Sequence, residues 1–255
     1  MLIPYYICIA LLTSCAQAET AIPGTNIHPT DTIASPDSIS MGIFRTPGSS
    51  YTAARSRVSG IRFLWAEAYR KSTNKDSVLQ AAGRALENAL VKDIFPYWYG
   101  TPWDFEGHTD TPDTGFIACG YFVSTTLKHA GINLNRYKLA RKSALTGCRI
   151  LSITGDIIRL RNKSPQQVAD YMRENLNDGL YSVGLDYHVG FVLLRDGYVV
   201  FIHSSFLNRS GVMATNAVTD PAFVSTNHIL VPISTSAPLV KKWLTGEAID
   251  ILPDR

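Results

Sequence analysis

The chain has 255 residues, 45% of them hydrophobic and 18% charged, with a formal net charge of +3. That is ordinary globular composition, long enough for one large domain or two small ones. The charge is too weak to mark a nucleic-acid-binding surface, so no nucleic-acid partner is expected.

The first residues, "MLIPYYICIALLTSCAQAET", hold an apolar run from Leu2 to Leu12 and no charged side chain before Glu19. The run is too short to span a bilayer and fits the apolar part of a secretory signal, although it has no basic n-region. Residues 1–18 are therefore assigned to a signal segment, and the protein is expected to be exported to a bacterial cell envelope, in the periplasm or at the outer membrane. "AQA" suits a signal-peptidase cut before Glu19. "LTSC" resembles a bacterial lipoprotein box, with Cys15 as the lipidated residue and the membrane as partner, and this second processing is preferred. An apolar helix retained in the fold is the third alternative. Either cut removes Cys8, and lipidation occupies Cys15, which leaves Cys119 and Cys148 to the mature fold. One disulfide between them is the ordinary expectation for an oxidising compartment. A thiol kept free at Cys119 is the other.

Residues 19–59 are rich in Thr, Ser, Pro, Ile and Gly and show no sustained periodicity, which indicates an extension or tether. A single domain is expected over 60–255, with a helical part at 60–95. In "SGIRFLWAEAYRKS" the residues Ile61, Leu64, Trp65 and Ala68 share one helical face. In "NKDSVLQAAGRALENALVKDIF" the residues Val78, Leu79, Ala82, Leu86, Ala89 and Leu90 recur at i, i+3, i+4 spacing, with Asp76 or Ser77 as cap. The stretch 96–115, "PYWYGTPWDFEGHTDTPDTG", is aromatic and turn-rich. It reads equally as a packed loop beside a groove or as an Ω-type loop.

A glycine and a helical apolar pattern surround Cys119 in "TGFIACGYFVSTTLKHAGI", with Phe122, Val123, Thr126, Leu127 and Ala130 as the stripe. The following stretch, 135–163, is basic, with Asp156 its only acid, and reads as a solvated face. "SPQQVADYMREN" starts a helix with Ser164 as N-cap, Pro165 at the first position and Gln167 completing a capping box. "GLYSVGL", "YHVGFVLLR", "YVVFIHSS" and "HILVPIS" read as strands and "APLVKKWL" as a last helix. Helices first and an antiparallel sheet later make the fold class α+β.

Asp196-Gly197 between two apolar runs predicts a two-residue type I′ turn. That turn sets Arg195 against Tyr198, Val192 against Phe201, Gly190 against His203 and His188 against Ser205. His188 and His203 then share a face as diagonal neighbours, roughly 7–8 Å apart at the backbone. Each alone reads as a satisfied core histidine. Together they could serve zinc, but a third ligand is not evident beyond His108 and Asp110, and neither a metal nor a cofactor is expected. As a pair they fit a nucleophile's base and its orienting group. At a helix N-terminus beside a histidinium a thiol pKa falls from roughly 8.5 to about 3.5–7.5, and the helix end offers N–H groups to an oxyanion. Cys119 is thus the candidate nucleophile, His188 the base and His203 the orienting group.

The ordered set "YWYG" at Tyr97–Gly100, "ACGYFV" at Ala118–Val123, "HVGFVL" at His188–Leu193 and "FIHSS" at Phe201–Ser205 resembles the NlpC-type, papain-like bacterial cell-wall cysteine peptidases over residues 96–233. The resemblance implies a sheet packed on the cysteine helix and hydrolysis of peptide amides in peptidoglycan stem peptides. It implies the same roles for Cys119, His188 and His203, and places Tyr99 beside the nucleophile. The family commonly reads "DCSGF" where this chain has "ACGYF". Ala118 replaces the acid and Gly120 the serine that help to bind a stem-peptide amine, and the segment before "HVG" is long. Specificity is therefore expected to shift from a free amine toward an acylated stem peptide or another acidic amide. The aromatic loop with Tyr97, Trp98 and Trp103 would offer apolar contact, and residues 136–163 would offer cations.

Three functions follow. The leading one is an exported cysteine hydrolase acting on stem peptides. A papain-fold amidase or acyltransferase on another envelope substrate is the second, although Cys119 precedes His188, opposite to the permuted lipid acyltransferases. A catalytically silent peptidoglycan-binding lipoprotein is the third.

Overall fold

The computed structural model describes residues 49–251. The expectations for the signal segment, for Cys15 and for most of the extension lie outside the described residues. The fold begins earlier than expected. Helix α1 runs Tyr51–Lys71 and is capped by Ser50, whose side chain accepts from the Ala53 N–H. Residues 51–59 are thus helix and not tether. Their contribution is Ala54 and Val58, both buried, one turn apart and invisible to a reading that starts at Ser59. The face continues through Ile61 and Trp65, whereas Leu64 is 68% exposed beside Phe63, so the stripe expected through Leu64 is rotated toward Ala54 and Val58.

Helix α2, Lys75–Asn88, buries the expected Leu79, Ala82 and Leu86. Its cap is Asn74, which accepts from Ser77 N–H, in place of Asp76 or Ser77. A π-helical turn, Ala89–Ile94, and the short α3, Phe95–Trp98, carry the chain into the core. Next come α4 (Cys119–His129), α5 (Arg136–Ala140), α6 (Ala144–Leu151), β1 (Ile158–Arg161), α7 (Pro165–Asn175), β2 (Gly179–Gly184), β3 (Val189–Arg195), β4 (Tyr198–Ser205), β5 (Gly211–Asn216), β6 (Asn227–Pro232) and α8 (Ala237–Thr245). The Ser164–Gln167 capping box of α7 is formed on both sides, at 3.2 and 3.0 Å. Two strands were not expected: β1, whose Ile-Arg-Leu-Arg alternation spans only four residues, and β5, "GVMATN", which does not alternate.

The fold is α+β. Its sheet has six strands, ordered β1-β6-β2-β3-β4-β5, with antiparallel neighbours. The β3–β4 turn has Asp196 at φ 51° and Gly197 at φ 78°, the two left-handed residues that a type I′ turn needs. Arg195 faces Tyr198 and Val192 faces Phe201, as the turn requires. Alternate residues therefore feed two cores. Phe191 and Leu193 pack with the helical layer, including Leu86, Phe95, Phe122 and Trp243. Val192, Leu194 and Phe201 pack with Val168 and Met172 of α7 and with Phe223. Glu87 of α2 is buried and ties this layer to the sheet, paired with Arg195 and accepting from Ser234 Oγ at 2.8 Å.

A buried polar chain locks α1 to the core. The Trp98 indole N–H donates to Tyr51 Oη at 2.8 Å, and Tyr51 Oη lies 2.8 Å from His129 Nδ1. Tyr51 therefore donates its own proton to an unprotonated imidazole nitrogen. This agrees with His129 being held neutral, its pKa lowered to about 4, mainly by burial. Tyr51→Phe would leave a buried donor and a buried acceptor without partners. It is expected to cost about 1–3 kcal/mol, read as a lower urea midpoint at unchanged m value. An effect within error would mean that α1 is not part of the cooperative unit.

Candidate active site

Cys119 is the first residue of α4. Its N-cap, Ala118, is extended and supplies no side-chain cap, so the first-turn N–H groups are left for other acceptors. The approach to this helix is pinned by backbone bonds. Ala118 N–H donates to Gly107 O at 2.8 Å, Ile117 N–H to Pro102 O at 3.0 Å, and Ser204 Oγ to Ile117 O at 2.7 Å. These bonds lay the aromatic loop alongside the cysteine and tie both to β4.

His188 stands immediately before β3, with its carbonyl accepting from Leu185 N–H at 2.8 Å. His203 lies on β4 opposite Met213 of β5. The two imidazoles meet as the hairpin register requires, with His188 Nε2 2.8 Å from His203 Nδ1. Gly190 makes room, since a Cβ there would come within 3.0 Å of His203 Cβ. His203 also stacks on Phe201 at a centroid distance of 4.0 Å.

The chain continues to a residue that the sequence did not reveal. His203 Nε2 lies 3.0 Å from Asp220 Oδ2. Asp220 also accepts from Thr215 Oγ1 at 2.5 Å and from Ala222 N–H at 2.7 Å. Burial pushes this carboxyl up, but the bonds from His203, Thr215 and Ala222 outweigh it and hold the pKa below the ordinary value. A carboxylate only accepts, so it assigns the proton to His203 Nε2. In neutral imidazoles His203 Nδ1 then accepts from His188 Nε2–H, and His188 Nδ1 is left as a bare lone pair. That atom is buried and has no hydrogen-bond partner among the described residues.

His188 and Cys119 line one cleft of about 690 Å³, together with Trp103, Tyr121, Tyr137 and Phe206. The backbone N–H groups of Val189, next to His188, of Gly120 and of Cys119 itself favour the thiolate. The ionisation differs from the expectation of a preformed thiolate. Burial raises the Cys119 pKa, and those N–H groups recover only part of the shift. Burial, and then the neighbouring His203, lower the His188 pKa to about 3. The resting pair is therefore a neutral thiol and a neutral imidazole, because the water that would solvate the separated charges is excluded. Cys119 and Cys148 are both free thiols, and Cys148 is buried against Ile229 O at 3.7 Å.

Of the other expected site residues, Trp103 and Ala118 line the cleft. Trp103 brings a buried indole N–H that has no acceptor among the described residues. Gly120 lines it too, but a Cβ there would lie 2.5 Å from Ala140 O. The glycine is thus required by the close approach of α5, and a serine does not fit. Tyr99 packs half-buried against the helical core and is not part of the cleft lining. Tyr97 and Trp98 are core residues, 2% and 0% exposed, because α3 turns both inward, so neither offers the apolar contact expected of it. The basic stretch is not uniformly solvated, since Arg136 is 5% exposed.

No family model matches the chain, and no curated protein does. Among solved structures the chain is similar to protein LPG0564 from Legionella pneumophila str. Philadelphia 1, described with the family model DUF1460. The identity is 12%, over 72% of this chain and 97% of that one, at a TM-score of 0.29. A likeness of that degree carries no argument about fold or function.

Proposed function

We propose that the protein is an exported cysteine hydrolase with a papain-like arrangement, cleaving a peptide amide in peptidoglycan stem peptides. The observation that carries this reading is the chain Asp220–His203–His188, which ends in a bare, buried Nδ1 on a residue that lines the same cleft as Cys119. "LTSC" and the apolar run before it support export, with Cys15 as a lipid anchor in the envelope membrane.

On attack, Cys119 S–H gives its proton to His188 Nδ1 while sulfur bonds to the substrate carbonyl carbon. The oxyanion faces first-turn N–H groups of α4, and the Trp103 indole N–H is available as a side-chain donor. Collapse breaks the C–N bond, and the leaving amine takes the proton from His188. Water then loses a proton to Nδ1 and adds to the thioester, and Cys119 is released as thiol. His203, protonated on Nε2 by its bond to Asp220, keeps the imidazole of His188 in register throughout.

The test uses an N-acylated stem peptide, since Ala118 has no carboxylate to pair with a free amine. Release of a new amine, abolished by iodoacetamide, is the expected result. The base works only when neutral, and burial keeps His188 neutral down to about pH 3. Rates should therefore be retained as pH falls through 6.5, the ordinary imidazole value, with the acid limb at lower pH. No amine release from free or acylated peptide, with Cys119 inert to iodoacetamide, would refute the proposal.

A further inference from the structure

Arg136, at the start of α5, is a buried cation without a carboxylate. Its Nη1 donates to Thr125 Oγ1 at 2.9 Å and to Thr109 O at 3.2 Å. Its Nη2 donates to His108 O and to Tyr137 Oη, both at 2.9 Å. All four acceptors are neutral, and no ion pair of Arg136 with a carboxylate is found among the described residues. The rings of Tyr137 and Tyr121, 4.4 and 5.7 Å from the guanidinium carbon, offset part of the charge. The remainder stands directly behind one wall of the cleft.

Tyr137 carries that charge to the wall. Its oxygen accepts from Arg136, so its own O–H proton is left for an acceptor in the cleft, which this 45% exposed side chain lines. Arg141, exposed on the same wall, has no ion-pair partner among the described residues. The lining includes one carboxylate, Glu106, which is exposed. Gly120 admits α5 at this distance, since any side chain there would meet Ala140.

We propose that this wall is a carboxylate subsite. A substrate carboxylate accepts from Tyr137 O–H and from the Arg141 guanidinium, with Arg136 holding positive charge behind the phenol. The inference rests on the hydrolase reading and deepens it, by naming acidic stem peptides as the substrate class.

The test is calorimetric binding to the full-length Cys119→Ala protein. The probe is one N-acylated stem peptide, prepared with its carboxylates free and with each converted to the carboxamide. One free acid should bind at least tenfold more tightly than its carboxamide. Tyr137→Phe, which keeps the ring, and Arg141→Gln should each reduce that ratio at least threefold. Equal affinities within twofold, no binding of either form, or an unchanged ratio in both variants would overturn the subsite. Turnover by the wild-type protein separates the two ideas. Hydrolysis of acid and carboxamide at equal kcat/KM removes the subsite and keeps the hydrolase. An acid preference in binding with neither form hydrolysed removes the hydrolase and keeps the subsite.

Discussion

Cys119→Ala and His188→Ala are each expected to lower amide hydrolysis by roughly three orders of magnitude or more, and the double variant to be little worse than either. The reason is the neutral resting pair. Neither the thiol nor the imidazole is activated in advance, so in the proposed mechanism sulfur becomes nucleophilic only as Nδ1 takes its proton. Removing either partner removes the same event. Hydrolysis of one stem peptide by the four proteins decides it. Losses that multiply would mean that Cys119 and His188 act independently and that the proton goes elsewhere. His203→Asn should cost less, because an amide oxygen can still accept from His188 Nε2–H.

Asp220→Asn is expected to lower kcat by about two to four orders of magnitude, with far less effect on folding. The site predicts how. The backbone N–H of Ala222 holds one side-chain oxygen at 2.7 Å, so the asparagine keeps its oxygen there and turns its NH2 toward His203 Nε2. That nitrogen must then accept, His203 Nδ1 must carry the proton, and His188 Nε2 must accept from it. The proton of His188 moves to Nδ1, so the atom proposed as the base carries a donor in place of its lone pair. Exchanging one carboxylate oxygen for an NH2 group thus reverses both imidazoles with no other heavy atom displaced. The measurement is kcat beside the thermal midpoint, with the ring-nitrogen NMR shifts of His188 as the direct readout of its tautomer. Full activity in Asp220→Asn would show that Asp220 does not set the tautomers.

The region around this site was unevenly legible. Cys119, His188 and His203 could be read because each sits in a local pattern: an apolar helical stripe, and a hairpin whose Asp-Gly turn sets the register. Asp220 could not. It follows β5, a strand whose sequence "GVMATN" does not alternate, and its role arises when β5 pairs with β4 and brings it beside His203. Its own local role is to cap a short 3-10 turn, Pro221–Phe223, by accepting from the Ala222 N–H. Arg136 was counted among solvated cations because composition shows charge but not burial.

The sequence by itself determined those features whose cause lies within a few residues. They include the type I′ turn with φ 51° and 78°, the pairing that follows from it, the capping box of α7, and the start of a helix at Cys119. Turn chemistry and side-chain periodicity act at short range, so one chain suffices to read them. Only the tertiary structure decided the proton inventory of the site. Asp220 meets His203, and Arg136 meets Thr125 and the His108 carbonyl behind the cleft wall, through contacts between different elements of the fold. The neutral state of Cys119 and His188 comes from excluded water, a property of the packed whole that no local pattern encodes.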